Sequence, residues 1–265
     1  MITHLKAQHG GHYPYRLKEA TPVAMRAIIF DCDGVLMDSE PLHFAAFRNV
    51  LAESGDSLTE EDYKERYLAL DDRGAFEKFY RDHSRPLDKA LLDTLLQRKT
   101  VVFQELVSSE GILPFPAVPE FVMAASQRYP LAVASGARRH ELDMILDAAG
   151  IRTYFETIVS ADDVQKGKPD PESFLQAVER LNSSGKRSTP IRPDECAVIE
   201  DSREGIASAH AAGMKCIAVA TSYPKFELSV ADLVVPSLGA LRLSQVEDLF
   251  RPPPVLQPIQ APHSN

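Results

Sequence analysis

Cysteine is scarce in this 265-residue chain: Cys32, Cys196 and Cys216, an odd number at no recurring spacing. That speaks against a disulfide framework and against a cysteine-based zinc site, and a reducing compartment is the simple reading. Cys32 and Cys196 lie inside apolar runs, where a small buried packing residue is commoner than a reactive thiol. Positive charge is also short. There are 29 Lys and Arg against 38 Asp and Glu, a formal net charge of -9, which argues against nucleic acid as the main partner. Long apolar runs are missing: no stretch reaches the roughly 18 residues that a membrane-spanning helix needs. The first residues lack the apolar centre of a secretory signal. A cytoplasmic protein with no membrane or nucleic-acid partner, a monomer or weak dimer, is the expectation. No internal repeat is visible.

What is present is ordinary for a globular chain, with 44% hydrophobic and 25% charged residues, enough to bury a large core in one large or two modest domains. One stretch organises it. Ala27-Ile28-Ile29-Phe30 runs straight into Asp31-Cys32-Asp33-Gly34. A short unbroken apolar run fits a strand buried on both faces. Two carboxylates at i, i+2 just past its end repel each other, and a bound cation or a shared proton is the usual compensation. By itself Asp-x-Asp-Gly also suits a calcium loop or a plain acidic turn.

The chain divides by pattern. Residues 1–24 form a polar extension, in which metal binding by His4, His9 and His12 is an alternative to simple mobility. Residues 40–111 read as all-helical: Pro41 opens a helix that Gly55 stops, Thr59-Glu60-Glu61-Asp62 resembles a capping box, and leucines, valine and phenylalanine from Leu92 to Leu106 follow the helical period. Glu40, Glu60 and Glu61 read as solvated. Residues 25–39 and 112–250 alternate strands with helices, with strands near 131–134, 157–159, 196–199, 216–219 and 232–235. Such alternation implies an α/β fold with a parallel sheet and right-handed crossovers. The fold expected is a Rossmann-like core with helices on both faces and an inserted helical cap. A Pro-rich tail without regular structure, 251–265, follows.

Ligands of open α/β sheets sit beyond the carboxyl ends of the strands. There this chain presents Asp31 and Asp33, Ser135-Gly136, Lys166-Gly167-Lys168-Pro169, and Glu200-Asp201. Carboxylates, a hydroxyl beside backbone amides and a lysine suit a phosphate bound next to magnesium, a hard cation that takes oxygen ligands.

These segments resemble, in the same order, the four motifs of the haloacid dehalogenase superfamily: Asp31-Cys32-Asp33-Gly34-Val35, Ala134-Ser135-Gly136, Gly167-Lys168-Pro169-Asp170-Pro171 and Ile199-Glu200-Asp201-Ser202. The helical insertion after Asp38-Ser39-Glu40 is similar to the beta-phosphoglucomutase-like branch. The resemblance covers about residues 25–240. It implies a magnesium-dependent phosphatase acting on a small phosphorylated metabolite, with Asp31 as nucleophile and Asp33 as general acid–base. Mg2+ would be held by Asp31, the Asp33 carbonyl and Asp201, with Glu200 in support. Ser135, Gly136 and Lys168 would hold the phosphate, although a serine at this place also suits a helix cap. In the cap the resemblance implies substrate contacts from His43, Arg73 and Lys99. A buried helix histidine and an exposed basic patch are the alternatives, and Asp71 and Asp72 would repel a second phosphate. Ala117 stands where relatives commonly have glycine. A phosphomutase and a non-catalytic binding protein are the competing functions.

Overall fold

The computed structural model describes residues 15–18, 24–68, 70–251 and 255–258. A six-stranded, wholly parallel sheet carries the core: β2 (Ala27–Phe30), β3 (Leu131–Ala134), β4 (Phe155–Val159), β5 (Cys196–Glu200), β6 (Lys215–Val219) and β7 (Leu233–Val235), in the order β4-β3-β2-β5-β6-β7. The order reverses at β2, so the crevice at its carboxyl end is the topological switch point where an α/β sheet binds its ligand.

β2 is apolar throughout because both its faces are covered. Ile28 and Phe30 pack with Val118, Val122, Leu142 and Ile145 of α5 (Val118–Ser126) and α6 (Arg139–Ala148). Ala27 and Ile29 face the other way, toward Phe174, Leu181 and Ile206 of α7 (Glu172–Ser183) and α8 (Arg203–Ala211). Burying a large aliphatic side chain of this kind contributes about 1.5–3 kcal/mol, so charge is tolerated only where the strand ends.

The inserted segment forms four helices, α1 (Glu40–Glu53), α2 (Glu60–Arg66), α3 (Asp72–Asp82) and α4 (Lys89–Glu110). Thr59, Asp71 and Asp88 cap the last three by accepting from Asp62, Gly74 and Leu91 amides. Phe47 is the hub of the cap core, with Tyr63, Tyr67, Phe76 and Phe79 around it. The chain returns to the core through Ala117, which adopts φ +68° directly before α5, a conformation that glycine reaches without steric cost.

Some boundaries differ from the sequence pattern. β4 begins at Phe155, two residues early, because its exposed Glu156 hides the start of the apolar run. A last helix, α9 (Leu243–Asp248), buries Val246 in the core. At the termini, where the pattern gives no regular structure, β1 (Tyr15–Lys18) pairs antiparallel with β8 (Val255–Pro258). His4, His9, His12 and most of the tail lie outside the described residues. Among the described residues, no helix is long and apolar enough to cross a membrane.

Candidate active site

The end of β2 is a tight loop. The carbonyl of Cys32 accepts from the amides of Leu36 and Met37 at 2.8 and 3.1 Å, and Gly34 turns the chain at φ +72°. This folds Asp31 and Asp33 back over the sheet, into different surroundings.

Asp31 meets Lys168, whose Nζ donates to Asp31 Oδ1 at 2.5 Å and to Glu200 Oε1 at 2.6 Å, above the Phe174 ring. Burial drives Asp31 up to about 8; Lys168 opposes this, and the charges of Glu200 and Asp33 add to it. Asp201 is likewise pushed well above the carboxylate range by burial, then by Glu200 and Asp31. Burial acts against the charged form of Lys168, but Asp31 and Glu200 outweigh it and raise its pKa, so the ammonium stays charged.

Asp33 lies on the cap side. The Ser39 hydroxyl donates to its Oδ1, and Ser135 Oγ stands 3.5 Å from its Oδ2. His43, stacked on Phe103, brings Nε2 within 3.4 Å of Asp33 Oδ1. Lys99 donates to His43 Nδ1 at 2.8 Å and pairs with Asp72. Burial favours the neutral acid here too, but His43, Ser39 and Lys99 outweigh it and hold Asp33 at about 2.

Glu200 is buried and filled with protein donors. Besides Lys168, its Oε2 accepts from the Asp201 amide, the Ser202 amide and the Ser202 hydroxyl, at 2.8 to 2.9 Å. Its carboxylate therefore orients Lys168 and the start of α8 and has little left to offer a cation. The carboxylate lies so close to Gly205 that any Cβ there would overlap it. Gly205→Ala is expected to displace Glu200 and Lys168 together, lowering stability by about 1–3 kcal/mol, as overpacking does, and activity with it; thermal melting and phosphate-release assays on one preparation check both.

Three buried carboxylates, Asp31, Glu200 and Asp201, thus stand against one ammonium, that of Lys168. Burial and mutual repulsion hold Asp31 and Asp201 toward their protonated forms, and a divalent cation in place of those protons would relieve both. Among the described residues no three His, Cys, Asp or Glu side chains form a ready metal cage. Asp31 and Asp201 are the two carboxylates that could hold such a cation, since the oxygens of Glu200 are taken.

The sequence model of the haloacid dehalogenase-like hydrolases matches residues 25–213. This chain belongs to that family. Within the family it is 35% identical over 199 residues to a phosphorylated carbohydrates phosphatase of Thermotoga maritima, which covers 73% of this chain and 84% of the relative. It is 30% identical over 230 residues to beta-phosphoglucomutase of Bacillus subtilis, covering 84% and 95%. Among solved structures, CbbY of Rhodobacter sphaeroides in complex with phosphate aligns with a TM-score of 0.75 at 25% identity, over 84% of this chain and 99% of that one.

Of the residues singled out in this hydrolase from sequence, Asp31, Asp33, Ser135, Lys168, Glu200 and Asp201 come together at the sheet end, Gly136 follows Ser135 there, and His43 and Lys99 reach them from the cap. Lys99 is fully buried, not part of an exposed basic patch. Arg73 is not joined to the cluster by any hydrogen bond among the described residues; it is half-exposed and lies 4.0 Å from Asp93. Glu40, read as solvated, instead accepts from Tyr63 at 2.6 Å. Two participants escaped the sequence reading, Thr221 and Ser222. Their signal was available: they follow β6, and the strand-end rule applies to it as to the other strands.

Proposed function

We propose that this hydrolase is a magnesium-dependent phosphatase that releases phosphate from a small phosphorylated metabolite through an aspartyl-phosphate. The observation that carries the reading is that Asp31 and Asp33, two residues apart, lie in separate environments, Asp31 on Lys168 and Asp33 beside Ser39 and His43. A carboxylate oxygen of Asp31 would attack phosphorus while the bond to the leaving alkoxide breaks, and Asp33 would give that alkoxide its proton. Asp33 would then take a proton from water as the water oxygen attacks the same phosphorus, which frees inorganic phosphate and restores Asp31. Lys168 and Ser135 would hold the phosphate oxygens as charge builds on them.

Mg2+ would be held by Asp31, Asp201 and the carbonyl of Asp33. When bound, it would keep both carboxylates ionised and offset their repulsion toward phosphate. The cation-free acidities run opposite to the roles, with Asp31 at about 8 and Asp33 at about 2. Asp33 would therefore have to take up its proton in the substrate complex, where the phosphoryl oxygens and the leaving group change its surroundings.

A phosphomutase would share the first half-reaction, and one relative bears that name. It needs cap cations free for a second phosphate. Here Lys99 is paired with Asp72, and Arg73 faces Asp93, which favours hydrolysis. A non-catalytic binding protein would have no need of Asp31, Asp33, Lys168 and Asp201 together. The deciding experiment assays a panel of sugar phosphates and other phosphomonoesters with magnesium, for free phosphate and for isomerised sugar phosphate. Phosphate release without isomerisation is expected. Isomerisation with little release would sink the phosphatase reading, and no turnover of any substrate would favour the binding protein.

A further inference from the structure

We infer that Ser222 is a positioning residue for the cation site, holding one oxygen of Asp201 so that the other faces the metal. The inference rests on the reading of Asp201 as a cation ligand and adds to it a residue outside the four strand-end segments.

Past the end of β6 the amide of Ala220 is tied to Val235 at 2.9 Å, which fixes where the next two residues emerge. Thr221 Oγ1 donates to the carbonyl of Gly34 at 2.5 Å. Ser222 Oγ donates to Oδ2 of the buried Asp201. The same corner is closed from the third side by Gly34. A Cβ there would overlap the Asp201 carboxylate and would lie 2.7 Å from both Asp201 Cγ and Ser222 Oγ. The first loop, the end of β5 and the end of β6 are therefore stitched together around one carboxylate. Asp201 Oδ1 accepts no hydrogen bond among the described residues, so one oxygen is held and the other is open.

The donor type matters. A hydroxyl fixes the orientation of a carboxylate and leaves its full negative charge available, whereas a lysine or arginine would neutralise it. Asp31, the other carboxylate proposed as a ligand, is held differently: Lys168 takes one of its oxygens at 2.5 Å and offsets part of its charge, so the charge that Ser222 leaves intact on Asp201 counts the more. Hydrogen bonds to ligating carboxylates are worth about 10- to 100-fold in metal affinity.

The test titrates Mg2+ into the full-length, substrate-free protein by calorimetry, for the wild type, Ser222→Ala and Ser222→Thr, with melting temperatures measured in chelator. Ser222→Ala is expected to bind Mg2+ about 10-fold more weakly, and Ser222→Thr, which keeps the hydroxyl, to restore the affinity. Ser222→Ala binding Mg2+ as the wild type does would overturn the inference alone, even if its melting temperature fell, since that is the mark of a purely structural serine. A wild type that binds no Mg2+ would overturn the underlying metal reading as well. Should Ser222→Ala fail to fold, Ser222→Cys, close in size but a poor donor, takes its place in the same comparison.

Discussion

Asp31→Asn is expected to abolish phosphate release, by a factor on the order of 10^4 or more, and at the same time to raise the melting temperature in chelator. The first effect follows from the proposed role of the carboxylate oxygen as attacking atom: an amide oxygen is a far poorer nucleophile and cannot form the acyl phosphate. The second follows from the company Asp31 keeps. In the cation-free protein it shares a buried space with Glu200 and Asp201, and only Lys168 opposes the three. At neutral pH the buried Asp31 must take up a proton that the unfolded chain does not hold, which costs stability; asparagine preserves the shape and removes that cost. A gain of about 1 kcal/mol would move the midpoint by roughly 2–4 °C in a domain of this size. Activity is read with the best substrate of the panel, phosphoenzyme by trapping, and stability by thermal melting. Full activity in this variant would remove Asp31 as nucleophile. A lowered melting temperature would mean that the bond to Lys168 outweighs that cost.

That pairing of effects explains what was legible in the sequence. Asp31, Asp33 and Asp201 are visible because the parallel sheet requires apolar runs buried on both faces, so a charged residue at the end of such a run stands out; Lys168, well past the end of β4, is visible through the resemblance of Gly167-Lys168-Pro169 to a family motif. The sheet then brings the strand ends together, whatever their separation in the chain. The partners in the cap obey no such rule. Lys99 meets Asp72 across 27 residues and His43 across 56, through the crossing of α1, α3 and α4, which the helical period does not determine. Read one residue at a time, Lys99 is a cation on a helix; in the fold it is buried and neutralised, and it supports His43 beside Asp33. Glu200 was misleading in the opposite sense. Its place in the motif suggests a metal ligand, yet four donors claim its oxygens, a fact that depends on the close approach permitted by Gly205. Ser222 went unseen because serine after a strand is common in turns; its meaning comes only from the carboxylate it touches.

Lys168→Ala is expected to be the most destabilising single change in the site, costing about 3–5 kcal/mol, the range found when one partner of a buried ion pair is removed. The ammonium is the counter-charge to Asp31 at 2.5 Å and to Glu200 at 2.6 Å, and alanine leaves three buried carboxylates with no cation among the described residues. Two further results separate this cause from a simple packing defect. Magnesium should recover part of the lost stability, since an ion that binds only the folded state stabilises it in proportion to its occupancy. Combining Lys168→Ala with Asp31→Asn should cost less than Lys168→Ala alone, because the double variant has one fewer buried carboxyl group to neutralise without its lysine. The coupling measured from the four-protein cycle should lie at about 1–3 kcal/mol. Additivity of the two changes to within about 0.5 kcal/mol would show that Lys168 does not stabilise the fold through Asp31, and would leave that role to Glu200 and the contact with Phe174. The same cycle bears on chemistry, because a lysine held in place by Asp31 and Glu200 in the resting protein is already positioned to take the oxygens of a phosphate that arrives beside Asp31. Its stabilising role and its proposed catalytic role then have one origin, the cluster of carboxyl groups at the end of β2.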